Sequence, residues 1–306
     1  MARSTRVGLL GIGLVALLLV GSVWSPEPAH AATDGPFRGL GAWVDVYDYA
    51  PAFLDKGALP TVTPASVADM AALGVRTLYL QAAQDDTRSK GNVVDRRLLA
   101  RFLAAGRKHD VRIVAWYLPK FDDLEADLRR IRALSEFSSD GDEFDGLALD
   151  IEWTGSVTDA AVRSQRLIEL SKRARDLVGG MPLGAIVLEP VLLEVVNPEY
   201  WPAFPWRKIR DDYDAWLPMT YWTNRNTKSG YREGFRYTDE NIRRLRANLG
   251  RPAAVVHPVG GIADAVSAAD VAGFVRAARR QHAVGWSVYD YATTTSGLWP
   301  RLRGNR

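Results

Sequence analysis

The 306-residue chain contains no cysteine and only four histidines. The absence of cysteine excludes disulfide bonds, thiolate metal ligands, a cysteine nucleophile and a lipid-modified N-terminal cysteine. No His-x-x-x-His pattern and no carboxylate–histidine facial triad occurs, so we expect no metal site. A Gly-x-Ser-x-Gly elbow and a glycine-rich phosphate loop are also missing, and nothing in the sequence predicts a cofactor.

The chain also lacks a strong charge of either sign. Its 39 Lys and Arg against 36 Asp and Glu give a net charge of +3, and the basic residues are scattered, which argues against a nucleic-acid partner. With 47% hydrophobic and 25% charged residues, it is neither disordered, nor collagen-like, nor a multi-span membrane protein. What it does have is ten Trp and eleven Tyr, which serve either as extra core or as stacking surfaces for sugar rings.

The N-terminus has the pattern of an export signal. Two arginines precede an uncharged run over residues 7–24, and Ala-His-Ala follows at 29–31. This order predicts a secretory signal peptide over 1–31, with one domain over 32–306. The alternative is an uncleaved membrane anchor, which would be the protein's only membrane contact. In both cases we expect the domain to be secreted or extracytoplasmic.

Strand-like and helix-like patterns alternate through the rest of the chain. The candidate strands are 40–49, 77–83, 112–118, 146–153, 183–189, 216–222, 253–259 and 285–291. Helical patterns cover 64–73, 94–109, 124–135, 158–178, 239–249 and 267–281. Regular alternation of this kind is typical of a parallel sheet, and eight units close into a single-domain (β/α)8 (TIM) barrel. An open doubly wound sheet is the alternative, but its glycine-rich loop after the first strand is missing.

The fourth strand carries the strongest functional signal. Side chains alternate along a strand, so Leu147, Leu149 and Ile151 form an apolar row, while Asp150 and Glu152 lie on the opposite, interior row. Active sites of these barrels form at the carboxyl ends of the strands, where this pair lies. Two carboxylates roughly 6–7 Å apart cannot both ionise freely, so one is driven toward its protonated form.

This pair has the properties of a catalytic acid and its assistant. Glu152 lies nearer the barrel mouth and has the longer side chain, so we assign it the role of general acid. Asp150 lies deeper and stays ionised or shares a proton with Glu152. The structural alternative is a buried acid pair that is satisfied by arginines or backbone amides.

The same parity argument selects polar and aromatic residues at the other strand ends. Each of them alone is compatible with ordinary packing, but together they describe a mouth suited to sugars. The candidate substrate-binding residues are Asp45, Tyr47, Gln81, Tyr117, Glu189, Met219, Trp286 and Asp290, with Tyr221 added as a catalytic candidate.

Two motifs resemble family 18 glycoside hydrolases, the chitinases and endo-N-acetylglucosaminidases. Residues 144–152, Phe-Asp-Gly-Leu-Ala-Leu-Asp-Ile-Glu, resemble the family's fourth-strand signature, and 218–221, Pro-Met-Thr-Tyr, resemble its sixth-strand motif. The resemblance implies that Glu152 protonates the leaving oxygen, Asp150 orients the substrate's N-acetyl group and Tyr221 binds its carbonyl. The acetamido oxygen would then attack the anomeric carbon, in a substrate-assisted route. Trp286 would match the tryptophan that floors the sugar subsite.

The sequence departs from that family at two positions. Ala148 replaces the middle aspartate of the fourth-strand signature, and Trp222 stands where the family usually has Asp. The Asp-x-Glu pattern also resembles family 25 lysozymes, in which a first-strand aspartate completes the site; Asp45 would supply it. In a conventional two-acid mechanism, Glu189 would be the second carboxylate.

The leading hypothesis is therefore an exported glycoside hydrolase that acts on a polysaccharide or an amino-sugar glycan of the chitin or peptidoglycan type. The alternatives are a non-catalytic carbohydrate-binding barrel, to which the alanine at position 148 points, and a family 25-like muramidase. In each case the expected partner is an oligosaccharide or polysaccharide.

Overall fold

The computed structural model describes residues 34–304, together with Met1. The predicted signal segment lies outside these described residues, apart from Met1. The described chain forms a closed barrel of eight parallel strands, in which each strand pairs with its neighbours in sequence and β1 pairs with β8. The strands are β1 Gly39–Val44, β2 Thr77–Gln81, β3 Arg112–Tyr117, β4 Gly146–Ile151, β5 Leu183–Val187, β6 Ala215–Thr220, β7 Val259–Ile262 and β8 Gly285–Tyr289. The predicted (β/α)8 barrel is confirmed.

Helices surround the barrel and return the chain between strands. They are α1 Val46–Tyr49, α2 Ser66–Ala72, α3 Arg96–His109, α4 Leu124–Ser135, α5 Ala160–Val178, α6 Trp206–Ile209, α7 Gly234–Leu249, α8 Ala268–Arg280 and α9 Trp299–Arg303. Several begin at a side chain that accepts hydrogen bonds from the first-turn amides, as Asp95, Asp123, Asp159 and Ser267 do. Within the described part of the chain, no helix combines the length and the apolar character that a membrane crossing needs.

A short antiparallel hairpin, Ser138–Ser139 with Asp142–Glu143, precedes β4. The fifth connection, for which the sequence predicted no clear helix, contains a π-helical turn at Leu192–Val196 and the four-residue α6. The barrel therefore has one irregular wall, next to β5 and β6.

The first predicted strand, 40–49, is too long. It ends at Val44, because Asp45 caps a helical turn: its side chain accepts from the Tyr47 amide at 2.7 Å, and Asp48 accepts from the Asp45 amide at 3.4 Å. This capping box turns the chain away from the sheet. Asp45 and Tyr47 therefore reach the barrel mouth from a turn and not from a strand.

The seventh predicted strand, 253–259, is displaced. The strand proper is Val259–Ile262, and the earlier segment touches β6 only through one bridge between Val256 and Trp216. Pro258, which has no amide hydrogen to donate, interrupts the ladder between the two parts. His257 still points into the barrel, as the sequence predicted, and is fully buried.

A turn at Gly35–Phe37 closes the amino-terminal end of the barrel. Phe37 is fully buried, and a Cβ atom at Gly184 would lie 2.8 Å from its ring, so the glycine leaves room for this plug. The described residues 34–304 therefore close the barrel interior at this end and leave its carboxyl-terminal end open.

Candidate active site

The end of β4 holds two carboxylic acids at a cavity in the barrel mouth. Asp150 is 7% exposed and Glu152, just beyond the strand, is half-buried, while Leu147, Leu149 and Ile151 pack away from the cavity with no exposed surface. The cavity has a volume of about 370 Å³. It is lined by Asp45, Tyr47, Gln81, Gln84, Trp116, Leu118, Asp150, Glu152, Trp153, Met219, Tyr221, Ile262 and Tyr289.

The two carboxyl groups perturb each other. The pKa of Asp150 is raised well above its ordinary value, first by burial and then by the neighbouring Glu152. Burial also raises the pKa of Glu152. Asp150 Oδ1 is buried and has no hydrogen-bond partner among residues 34–304. The pair is therefore poised to hold a proton, and it keeps an acceptor directed at whatever enters the cavity.

The end of β6 supplies Met219 and Tyr221 to the same cavity. Burial raises the pKa of the Tyr221 phenol, and the carboxyls of Glu152 and Asp150 raise it further. Tyr221 therefore stays a neutral hydrogen-bond donor beside the acid pair. The structure brings together Asp150, Glu152 and Tyr221, the three residues that the sequence predicted to be catalytic.

The ends of β1, β2 and β8 form the facing wall. The Tyr289 hydroxyl donates to Asp45 Oδ2 at 2.6 Å, and Gln81 Oε1 accepts from the Val46 amide at 3.1 Å. Gln81 also donates to Gln84 Oε1 at 2.9 Å. These bonds hold the polar groups of the wall in fixed positions.

An acidic triad lies beside this wall, made of Asp45, Asp48 and Asp290. Carboxylate oxygens of the three residues lie within 4.8 Å of one another. The pKa of Asp48 is raised to about 6 by burial and by the other two carboxyls. The sequence singled out Asp45 and Asp290 but not Asp48, because the capping turn that aims Asp48 at them was interpreted as strand.

Glu189 is behind the cavity wall and does not border the cavity. It is 2% exposed, accepts from the Tyr237 hydroxyl at 2.7 Å, and lies 3.7 Å from the Arg225 guanidinium. Burial is the main cause that raises its pKa to about 7. Glu152 contributes to that rise, which places the two carboxyls within electrostatic reach of each other.

Two predicted mouth residues point away from the cavity. The Tyr117 hydroxyl donates to Asp127 on α4, and Trp286 Nε1 donates to the Leu302 carbonyl on α9 at 2.8 Å. Both errors come from a one-residue shift in strand parity, since such a shift exchanges the two faces of a strand.

The residues that replace them are aromatic as well. Trp116 is in register with Ala148, on the row of Asp150, and therefore faces the interior. On β8, Ser287 lies inside the barrel, so Tyr289, two residues later, does too. The small residues Gly285 and Ser287 were the available signal that the odd-numbered row faces inward. Trp153, 37% exposed, adds a further ring at the cavity rim.

Comparisons with known proteins place the fold. No protein-family model matches the chain, and no curated protein matches it. Among solved structures, a class V chitinase from Pseudomonas fluorescens matches with a TM-score of 0.59 at 10% identity, over 87% of this chain and 98% of that one. A family 18 chitinase from Cycas revoluta, in complex with allosamidin, gives 0.59 at 12% identity, over 86% and 98%.

A chitinase-like agglutinin from Robinia pseudoacacia is also similar, with a TM-score of 0.54 at 12% identity over 86% of this chain and 98% of the agglutinin. At these identities the likeness establishes the fold. The chain has the barrel architecture of the family 18 chitinases, with a sequence that is only 10% and 12% identical to the two solved chitinases named above.

Proposed function

We propose that this protein is an exported glycoside hydrolase of amino-sugar glycans, with Glu152 as general acid and Asp150 as its assistant. The observation that carries the proposal is the Asp150–Glu152 pair, which lies with raised pKa values at a cavity on the carboxyl side of a closed barrel. The family 18 fold supports it, because solved members of that fold include chitinases in complex with N-acetylglucosamine oligomers.

The raised pKa values suit the first half of the reaction. A protonated Glu152 donates its proton to the oxygen of the scissile bond as that bond breaks, so the departing sugar leaves as a neutral alcohol. The free Oδ1 of Asp150 accepts a hydrogen bond from the acetamido N–H, while the Tyr221 hydroxyl donates to the acetamido carbonyl. These contacts hold the carbonyl oxygen against the anomeric carbon, which it attacks.

The second half of the reaction regenerates the acid. Glu152, now ionised, takes a proton from a water molecule, whose oxygen attacks the anomeric carbon and releases the acetamido oxygen from it. The protons balance over the two steps, because Glu152 ends protonated and one water molecule has been consumed. In this route Glu189 is not required as a nucleophile, in keeping with its position behind the cavity wall.

The variant Glu152→Gln tests the proposal. Hydrolysis of N-acetylglucosamine oligomers should fall by about 10²–10⁴-fold, since the amide cannot donate the proton, while oligomer binding persists. Glu143→Gln, an exposed position in the hairpin before β4, serves as the matched control and should keep full turnover. Equal turnover of the two variants would remove Glu152 from the mechanism. Peptidoglycan fragments, assayed in parallel, test the muramidase alternative.

A carbohydrate-binding barrel without catalysis is the second candidate. Ala148 faces the interior beside Trp116 and replaces an acid of the family 18 signature. The similar agglutinin carries a chitinase-like fold in a protein that is named for agglutination. Tight oligomer binding by the wild-type protein without any product, at every pH between 4 and 8, would favour this candidate over hydrolysis.

Export is part of the proposal and needs its own experiment. The full-length chain should accumulate outside the cytoplasm of its bacterial expression host, with Ala32 as the first residue of the mature protein. Sequencing of the N-terminus from the extracytoplasmic fraction checks this. A chain that keeps residues 1–31 and sediments with membranes would identify the segment as an anchor.

A further inference from the structure

We propose that Asp45, Asp48 and Asp290 form a subsite for an ammonium group, so that the preferred glycan is a partly N-deacetylated amino-sugar polymer. The inference rests on the proposed glycosidase function and names its substrate class. An N-acetylated sugar would occupy the position beside Asp150 and Tyr221, and a sugar with a free amine would occupy the neighbouring position at the triad.

The topology of the barrel brings the triad to the cavity. Asp45 follows β1 and Asp290 follows β8, and these two strands are paired. Asp48 joins them from the helical turn that Asp45 caps. Asp45 borders the same cavity as Asp150 and Glu152, so the triad lies at the side of the proposed reaction centre.

Within residues 34–304, the triad is not neutralised by a cation. Its hydrogen-bond donors are neutral groups: the Tyr289 hydroxyl and Tyr47 amide for Asp45, the Thr61 hydroxyl and Asp45 amide for Asp48, and Thr293 for Asp290. None of the ion pairs among these residues includes a member of the triad. The nearby Arg88, 3.5 Å from the Tyr47 hydroxyl, is engaged by Asp86.

The residues that line the cavity, like the triad, carry acidic groups without a basic one. They include Asp45, Asp150 and Glu152, and no Lys, Arg or His. An entering ligand with a positive charge is therefore favoured over a neutral one of the same shape, and most strongly where three carboxylates converge.

A second observation shows that this cavity is built for a polar ligand. Asp150 Oδ1 and Trp116 Nε1 are buried atoms with no hydrogen-bond partner within residues 34–304. Their residues are 7% and 5% exposed and both line the cavity. Buried polar groups without partners are costly unless a ligand satisfies them. One acceptor and one donor thus face the same cavity that Asp45 of the triad borders.

The donor count of the triad matches an ammonium group. A primary ammonium has three N–H donors, and the three aspartates each offer a carboxylate oxygen within one 4.8 Å cluster. Each carboxylate oxygen can accept two hydrogen bonds, so the bonds that Asp45 already accepts leave it able to receive an ammonium donor, whereas a divalent metal ion would need six or more oxygen ligands. The ring of Tyr289, which borders the cavity, gives a sugar an apolar surface beside the triad.

The test compares chitin oligomers of one length that are either fully acetylated or about half deacetylated. The wild-type protein should cleave the half-deacetylated oligomer with a kcat/KM about tenfold higher or more, because a charge-assisted hydrogen bond is worth that factor. The double variant Asp48→Asn/Asp290→Asn should bring the ratio of the two kcat/KM values close to one. Asp55→Asn, which removes an exposed aspartate outside the triad, should keep the ratio.

The outcomes separate this inference from the proposed function. If the wild-type protein prefers the fully acetylated oligomer, or if the triad variants keep the wild-type ratio, the subsite is refuted while the hydrolase stands. If neither oligomer is cleaved, the proposed function fails. Calorimetry then compares the affinities of Glu152→Gln for the two oligomers, and tighter binding of the half-deacetylated oligomer would still support the subsite.

Two controls protect the interpretation. Circular dichroism verifies that the double variant is folded, and the single variants Asp48→Asn and Asp290→Asn replace it if it is not. Titration with Ca²⁺ tests the competing occupant: a rise in Tm at submillimolar Ca²⁺ that the triad variants lose, together with loss of the substrate preference in chelator, would overturn the ammonium assignment.

Discussion

Buried polar groups have hydrogen-bond partners at one end of the barrel interior, and some of them lack partners at the other end. Toward the Gly35–Phe37 plug, four side chains form a floor network: Trp43, Tyr79, His257 and Ser287. Trp43 Nε1 donates to Ser287 Oγ at 2.8 Å, and His257 bonds to Ser287 Oγ at 3.0 Å and to the Phe37 carbonyl at 2.8 Å. Tyr79 stacks on Trp43, with ring centroids 4.3 Å apart.

At the mouth, some buried polar groups are left without a partner. Asp150 Oδ1 and Trp116 Nε1 have no partner among residues 34–304, and three aspartates converge without a cation in that part of the chain. The floor network closes on itself and stabilises the barrel, whereas the mouth bears the cost of desolvated charge. Polar groups that bind one another are typical of a structural core, whereas buried polar groups without partners are typical of a binding site, so the two ends differ in the role we infer for them.

The largest effect we expect is on turnover, from Asp150→Asn at the mouth. In the proposed mechanism this carboxylate orients the acetamido group, so its loss should lower kcat by about 10²–10³-fold, as the removal of one charge-stabilising contact typically does. The free energy of unfolding should stay the same or rise, because a buried, unpaired carboxyl disappears. Kinetics and urea unfolding of one preparation check both; a clear loss of stability would show that Asp150 is structural.

The reverse pattern is expected from His257→Ala in the floor network. Removal of a fully buried ring leaves a cavity and two unpaired groups, so the free energy of unfolding should fall by roughly 3–5 kcal/mol. Turnover per folded molecule should remain close to wild type, since His257 does not border the cavity. Urea unfolding and active-site titration measure these two quantities. A variant with full stability and no turnover would put His257 in the mechanism.

The sequence predicts much of the fold and the position of the acid pair. The alternation of strand-like and helix-like patterns predicts the barrel, and the predicted helix 124–135 has the same bounds as α4. The acids at positions 150 and 152 fall on one row of β4 and its end, with the apolar residues on the other row. These predictions succeed because the two rows of side chains on β4 differ in chemistry, one being apolar and the other carrying the acids.

The predicted strand bounds are wrong where a local feature, a helix cap or a proline, interrupts the strand pattern. The capping box of Asp45 and Asp48 ends β1 at Val44, and β7 begins only after Pro258. Strand parity predicts Tyr117 and Trp286 at the mouth, yet aromatic residues stand on both faces of β3 and β8, so the pattern does not determine which row faces inward. The parity of such strands is decided by which ring the neighbouring strands can accommodate, and that depends on register.

A smaller effect concerns pH and the buried Glu189. Its pKa, about 7 against an ordinary 4.5, is raised in the folded protein, so the folded state holds a proton that the unfolded state releases. Stability should therefore fall as pH rises from about 4.5 to 7, by on the order of 3 kcal/mol from this group. Asp150, Glu152 and Asp48 add effects of the same sign.

Glu189→Gln separates its share of that slope from the rest. The variant should lose less stability than the wild type between pH 4.5 and 7.5 in urea unfolding, because the amide does not titrate. Glu199→Gln, at an exposed position, is the control and should follow the wild-type curve. Identical slopes for Glu189→Gln and the wild type would mean that Arg225 keeps the carboxylate ionised throughout.

The smallest effect distinguishes the two aromatic residues of β8 and tests the corrected parity of that strand. Tyr289→Phe keeps the ring but removes the hydroxyl that holds Asp45, so kcat/KM should fall by a factor of about 3–10, equivalent to one hydrogen bond. Trp286→Phe removes a bond to α9, outside the cavity, and should change kcat/KM less than twofold while it lowers Tm. Steady-state kinetics and thermal unfolding of both variants suffice. A larger kinetic loss from Trp286→Phe would return that residue to the substrate, and with it the parity that the sequence alone predicts.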